Sequence, residues 1–168
     1  MSDIHDRAHA AELAALRGRL GLGARVRLAG QIPTPDLAGL YARASVFALA
    51  TRYEGFGIVL GEALVRGLPI VSCRTGAVPD TVPDQAGVLV APDDVAGLAA
   101  ALDRLLTDPD LRGAVARAAA RAGAALPGWP QPPRSGGVLD GLTRWRCGRS
   151  GHCHRRMWTF AHRQVDDG

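Results

Sequence analysis

Glu54 and Glu62 are two of the three glutamates in the chain, with seven residues between them. Between them runs a glycine-rich turn, Glu54-Gly55-Phe56-Gly57, that opens onto an apolar stretch beginning Ile58-Val59-Leu60. If that stretch is a helix, the N–H groups of Ile58, Val59 and Leu60 have no intrahelical acceptor and sit at the positive end of its dipole, an arrangement suited to phosphate. Gly55 and Gly57 let the backbone come close to such a ligand. Carboxylates suit hydroxyls instead, because each accepts two hydrogen bonds and can grip a vicinal diol. The residues alone leave two readings open: a pair of acids on the surface, one near a helix start, or a pair that holds a polyhydroxylated anion.

The flanking chain supplies the elements that would position such a turn. A helix is expected from about His5 to Leu20, with Leu13, Leu16 and Leu20 on one face and Gly21 and Gly23 ending it. A strand at Val26–Leu28 follows, and Thr34-Pro35 opens a helix whose Leu37, Leu40 and Tyr41 share a face. Val46–Leu49 reads as a buried strand, Ile58–Arg66 as a helix stopping at Gly67, and Pro69–Ser72 as the next strand. A loop with Thr75, Gly76 and Pro79 leads through a helical turn to a strand at Val88–Val90. Helices are expected over Asp94–Leu106 and Asp110–Ala125, the second capped by Asp108 with Pro109 at its first position. Short apolar strands separated by helices imply α/β architecture: a partial doubly wound, Rossmann-like parallel sheet of about four strands with flanking helices. In such sheets ligands collect at the carboxyl ends of the strands, which is where the turn after Leu49 falls.

Composition narrows the function classes. All 20 basic residues are arginine, and the formal net charge is +4. Residues 1–129 carry 13 arginines against 13 acids, whereas 130–168 carry seven arginines against three acids, so the whole excess lies in the second segment. A neutral body argues against a nucleic-acid footprint built into the fold. Three cysteines, Cys73, Cys147 and Cys153, suit a reducing compartment better than a disulfide framework, and Cys73 reads as a small buried hydrophobe. No apolar run approaches the roughly 20 residues of a membrane-spanning helix, and cytoplasmic residence is the expectation.

The stretch Val46 to Arg74, VFALATRYEGFGIVLGEALVRGLPIVSCR, resembles the nucleotide-binding half of family 4 retaining glycosyltransferases of GT-B fold, whose signature is two glutamates separated by seven residues. Further blocks agree in order: RVRLAGQIP at Arg25–Pro33, LYARASVF at Leu40–Phe47, TGAVPDTV at Thr75–Val82, GVLVAPDD at Gly87–Asp94 and LPGW at Leu126–Trp129. The resemblance implies that Glu54 is the catalytic-centre carboxylate holding donor-sugar hydroxyls, helped by backbone around Gly55, Phe56 and Gly57. It implies that Glu62 holds the nucleotide ribose, that the amides of Ile58, Val59 and Leu60 take the diphosphate, and that the main chain near Gln31 and Ile32 meets the base. The implied reaction moves a glycosyl group from a nucleotide diphosphate sugar to an unknown acceptor with retention, without metal or other cofactor.

The chain departs from that family in two ways. Members begin with an acceptor-binding domain, and their nucleotide domain opens with two strands and basic residues that neutralise the leaving diphosphate. If the sheet follows the order 3-2-1-4-5-6, those two strands belong between Val26–Leu28 and Val46–Leu49. The expectation is therefore a fragment, inactive alone, with a separate chain able to supply the acceptor domain. Alternatives are a non-catalytic nucleotide-binding fragment completed by a partner, or a nucleotide sugar epimerase-like domain. Arg52 and Arg74, which lie near the site in sequence, read as solvated side chains. Residues 1–129 form the donor-binding domain in this reading, and 130–168 form a basic tail after the proline- and glycine-rich break at Gly128–Gly137. The tail shows no sustained helical or strand periodicity and reads as out-of-frame sequence, which predicts disorder. Its Cys147, His152, Cys153, His154 and His162 do not form a known zinc spacing, and its Arg-Trp clusters are not assigned to nucleic acid.

Overall fold

The computed structural model describes residues 2–30, 32–127 and 158–160, and it divides into two units, Met1–Thr34 with Arg146–Gly168, and Pro35–Trp145. In the first unit, α1 (Ser2–Arg19) is followed by β1 (Val26–Leu28). Arg17 donates to the Val26 carbonyl at 3.4 Å. Leu13, Leu16 and Leu20, expected to share a helix face, are 38%, 42% and 60% exposed.

The second unit holds α2 (Thr34–Arg43, its first residue in the other unit), β2 (Phe47–Leu49), α3 (Ile58–Val65), β3 (Ile70–Cys73), α4 (Val78–Thr81), β4 (Gly87–Val90), α5 (Val95–Thr107) and α6 (Pro109–Ala125). Its sheet is parallel in the order β2-β3-β4, with Phe47 opposite Ile70 and Ile70 opposite Gly87. All four residues of β3 are buried. Successive side chains of a strand point to opposite faces, so Ile70 joins a core with Tyr41, Leu60, Leu64, Val78, Val82 and Ala119. Val71 joins another with Val46, Ala101 and Leu105. Helices therefore cover both faces of the sheet, as continuous apolar strands demand.

All four expected strands form, but only three share this sheet. The fourth, β1, pairs in parallel with β5 (Trp158–Phe160) instead. Within 130–168, where no strand was expected, those three residues are the described part. An aromatic, a threonine and an aromatic suit a strand, and three residues are too short to show a period. Phe47, Ala48 and Leu49 are half-buried rather than buried, because β2 is an edge strand of the three-stranded sheet. Among the described residues no helix is long and apolar enough to cross a membrane.

Capping follows the residues. Asp94 accepts from the Gly97 N–H and starts α5. Asp108 accepts from the N–H groups of Asp110 and Leu111 at 3.1 and 2.9 Å, with Pro109 in the first turn of α6. On α6 the buried positions are small, Ala116, Ala118, Ala119 and Gly123, so α6 can lie close to α3. A Cβ on Gly123 would run into the Leu64 carbonyl and the Val65 nitrogen.

Two glycines of α6 should thus respond with opposite sign. Gly123→Ala must push α6 from α3 and is expected to lower the unfolding free energy by about 1–3 kcal/mol. Gly113→Ala meets nothing closer than the end of Arg117 at 3.5 Å and is expected to raise it by about 0.5–1 kcal/mol. Urea unfolding of the two variants reads both, and equal signs would refute the close-packing account.

Candidate functional site

The turn between β2 and α3 lies at the carboxyl edge of the parallel sheet and is built by its own hydrogen bonds. The Thr51 hydroxyl donates to the Tyr53 carbonyl at 2.6 Å and accepts from the Tyr53 N–H at 3.2 Å. Glu54 Oε1 then accepts from the N–H groups of Phe56, at 3.2 Å, and Gly57, at 2.9 Å. The carboxylate is thereby folded over its own turn, and its other oxygen has no hydrogen-bond partner among the described residues. Gly57 stands at the N-cap of α3 in the left-handed region (φ 70°, ψ 21°), where a side chain is strained.

The loop after β3 clamps this turn from beneath. Thr75 donates its hydroxyl to the Arg52 carbonyl at 3.0 Å, and the Ala77 N–H donates to the Glu54 carbonyl at 2.8 Å. Gly76 (φ 50°) lies so close to the Glu54 backbone that a Cβ there would overlap its carbonyl oxygen. Thr81, on α4, fills the space beside Gly57, where an added Cβ would lie 2.6 Å from the hydroxyl oxygen. Two loops from neighbouring strands are thus interlocked through main-chain atoms, which fixes the Glu54 carboxylate relative to the start of α3.

The first intrahelical bond of α3 runs from the Gly61 N–H to the Gly57 carbonyl at 2.9 Å. It leaves the N–H groups of Ile58, Val59 and Leu60 as the orphan donors of the helix start. Of these three residues Leu60 is wholly buried, Val59 half-buried and Ile58 exposed. Gly55, Phe56 and Ile58 are exposed around the turn, and Tyr53 and Phe56 are the most exposed large apolar side chains among the described residues. Glu62, half-buried on α3, accepts the Tyr41 hydroxyl on Oε2 at 3.1 Å. Glu54, Gly55, Phe56, Gly57, Ile58, Val59, Leu60 and Glu62 are therefore brought onto one turn and one helix. Ile32 follows β1 in the other unit and is half-buried, and Gln31 lies outside the described residues.

The positive charge near the turn is engaged elsewhere. Arg52 Nε lies 2.8 Å from Asp93 Oδ1, and Arg74 lies 3.6 Å from Asp84. Both pairs are solvated and weak. Cys73 is buried, as a small hydrophobe would be. Among the described residues no cluster of His, Cys, Asp and Glu is placed to hold a metal ion; the cysteines and histidines of the tail lie outside them. Residue-type reasoning gave no role to Gly76, Thr81 or the Tyr41 hydroxyl. The lone phenol on an otherwise apolar helix face was the available signal for the last of these.

Residues 5–108 match the family described as Glycosyl transferases group 1. A D-inositol 3-phosphate glycosyltransferase of Corynebacterium kroppenstedtii is 39% identical over 94 residues, which make up 55% of this chain and 21% of that protein. Among solved structures, the C-terminal domain of the glycosyl transferase group 1 protein LpcC of Francisella tularensis superposes with a TM-score of 0.66 at 26% identity, covering 71% of this chain and 63% of that one. HepE of Anabaena, solved in complex with UDP, gives a TM-score of 0.66 at 27% identity over 71% of this chain and 33% of that one. The chain spans about a fifth of the length of the curated relatives it matches.

The interlock of the two loops has a measurable consequence. Gly76→Ala must displace the Glu54 backbone and is expected to cost about 1–3 kcal/mol of unfolding free energy. Glu54→Gln keeps an acceptor for the Phe56 and Gly57 amides and should change stability by less than about 0.5 kcal/mol. Denaturant unfolding would show a silent Gly76→Ala if the loops were not in contact.

Proposed function

The chain belongs to the group 1 glycosyl transferases, and from that premise we propose that its Glu54–Glu62 segment binds a nucleotide diphosphate sugar as glycosyl donor. The observation that carries this reading is the Glu54 carboxylate, held by two amides beside the orphan N–H groups of α3. Glu54 Oε1 is saturated by its own turn, so its other oxygen accepts from the donor sugar's hydroxyls. The amides of Ile58, Val59 and Leu60 take the diphosphate at the positive end of the helix. Glu62 takes the ribose hydroxyls. The likeness to HepE of Anabaena, solved in complex with UDP, supports the ligand class.

The reaction in this proposal is glycosyl transfer with retention, of the family 4 type. The bond from the anomeric carbon to the diphosphate breaks, a bond to an acceptor hydroxyl oxygen forms on the same face, and the proton of that hydroxyl leaves with the diphosphate. Positive charge develops on the sugar ring, which the Glu54 carboxylate stabilises, while negative charge gathers on the leaving diphosphate. A helix start supplies only about half an elementary charge there. Because Arg52 and Arg74 face Asp93 and Asp84, a second reading stands beside the first: the chain binds the nucleotide and a partner completes the catalytic centre and supplies the acceptor.

Calorimetric titration with UDP and GDP tests the site. The favoured diphosphate is expected to bind about tenfold more weakly to Glu62→Ala, the loss of hydrogen bonds to a charged group. Glu54→Ala should leave the diphosphate's affinity nearly unchanged and weaken only the corresponding nucleotide sugar. A folded Glu62→Ala variant that binds both diphosphates like the parent would sink the assignment.

A further inference from the structure

Glu62 is held from α2. Tyr41 donates its hydroxyl to Glu62 Oε2 at 3.1 Å, and Tyr41 is itself tightly placed. It is 7% exposed and belongs to the core with Leu60 and Leu64. Its ring stacks on Phe47 with centroids 5.9 Å apart, and the Arg66 guanidinium carbon lies 4.6 Å from its centroid. Arg66 is tied in turn to the Glu62 main chain, donating to its carbonyl at 2.9 Å.

Packing alone asks for phenylalanine at this position, since ring stacking and the cation over the ring need no hydroxyl. A phenol oxygen in a core costs free energy unless it is bonded, and this one is bonded to the carboxylate proposed to receive the ribose. A glutamate side chain has three rotatable bonds, and ordering it on ligand binding costs entropy that a pre-formed bond removes. From this geometry we infer that Tyr41 is a positioning residue that orients Glu62 toward the nucleotide's ribose hydroxyls before the ligand arrives. The inference rests on the donor-site reading above and adds to it the residue that makes the ribose contact selective.

Tyr41→Phe keeps the ring, its stacking and the Arg66 contact, and removes only the hydroxyl. Wild type, Tyr41→Phe and Glu62→Ala are titrated with UDP and GDP and with their 2′,3′-dideoxy forms. For the diphosphate that binds, Tyr41→Phe is expected to lower affinity about fivefold, as one hydrogen bond to a charged group allows, and to leave the dideoxy form unchanged. A purely structural role would weaken both ligands alike, and that result overturns the inference. So does a Tyr41→Phe variant with unaltered affinity when Glu62→Ala is weakened, which leaves the donor site standing. Failure of the wild type to bind either diphosphate, or binding indifferent to Glu62→Ala, overturns the donor site and the inference with it.

Discussion

Burial of β3 on both faces is the constraint from which the second unit follows. A strand whose every residue is buried must be paired along both edges and covered above and below. Its neighbours run parallel to it, and parallel strands can be joined only by long crossovers. Those crossovers are α3 and α4, so the loops that precede them both start at the same edge of the sheet. The meeting of Gly76 and Ala77 with Glu54 is thus a consequence of strand direction before it is a property of any side chain. On α3, the helix that carries Glu62, α6 packs against the Leu64 and Val65 backbone through Gly123.

The electrostatics of the turn are modest, and that shapes what it can do. Glu54 spends one oxygen on its own backbone, an intramolecular use that keeps the carboxylate beside the helix start without a compensating cation. The guanidiniums of Arg52 and Arg74 lie against Asp93 and Asp84. What the turn presents is therefore mainly backbone donors and two acceptors, a set matched to a phosphate joined to hydroxyl groups rather than to a simple anion. The exposed rings of Tyr53 and Phe56 flank it with apolar surface.

Much of this was readable beforehand, for identifiable reasons. Asp94, Asp108 and Pro109 announce helix starts because caps are local chemistry, and each does what its type predicts. The short apolar runs announced strands, since a chain segment covered on both sides needs no polar alternation. The turn from Glu54 to Gly57 stood out because glycines, an acid and a helix start coincide within four residues. What stayed hidden was non-local. Nothing in Thr75-Gly76-Ala77 says which backbone it will touch, and nothing in Tyr41 says that its hydroxyl will meet a carboxylate on the next helix. The partner of β1 was equally illegible, because Trp158–Phe160 is too brief to show periodicity and lies far away in sequence.

The register of the sheet also bears on the order in which it assembles. Phe47 and Ile70 are 23 residues apart, while Ile70 and Gly87 are 17 apart. On a logarithmic closure law that difference is worth only about 0.3 kcal/mol, too little to decide which pair forms first. Pairing length decides it: β3 and β4 match over four rungs and β2 and β3 over three. A nucleus of β3 and β4 with the helices that cover them is thereby favoured, and φ-values lower in β2 than in β4 are its signature. The strand that leads into the Glu54 turn is then the last to be secured, so the turn takes its final shape only after the scaffold beneath it exists.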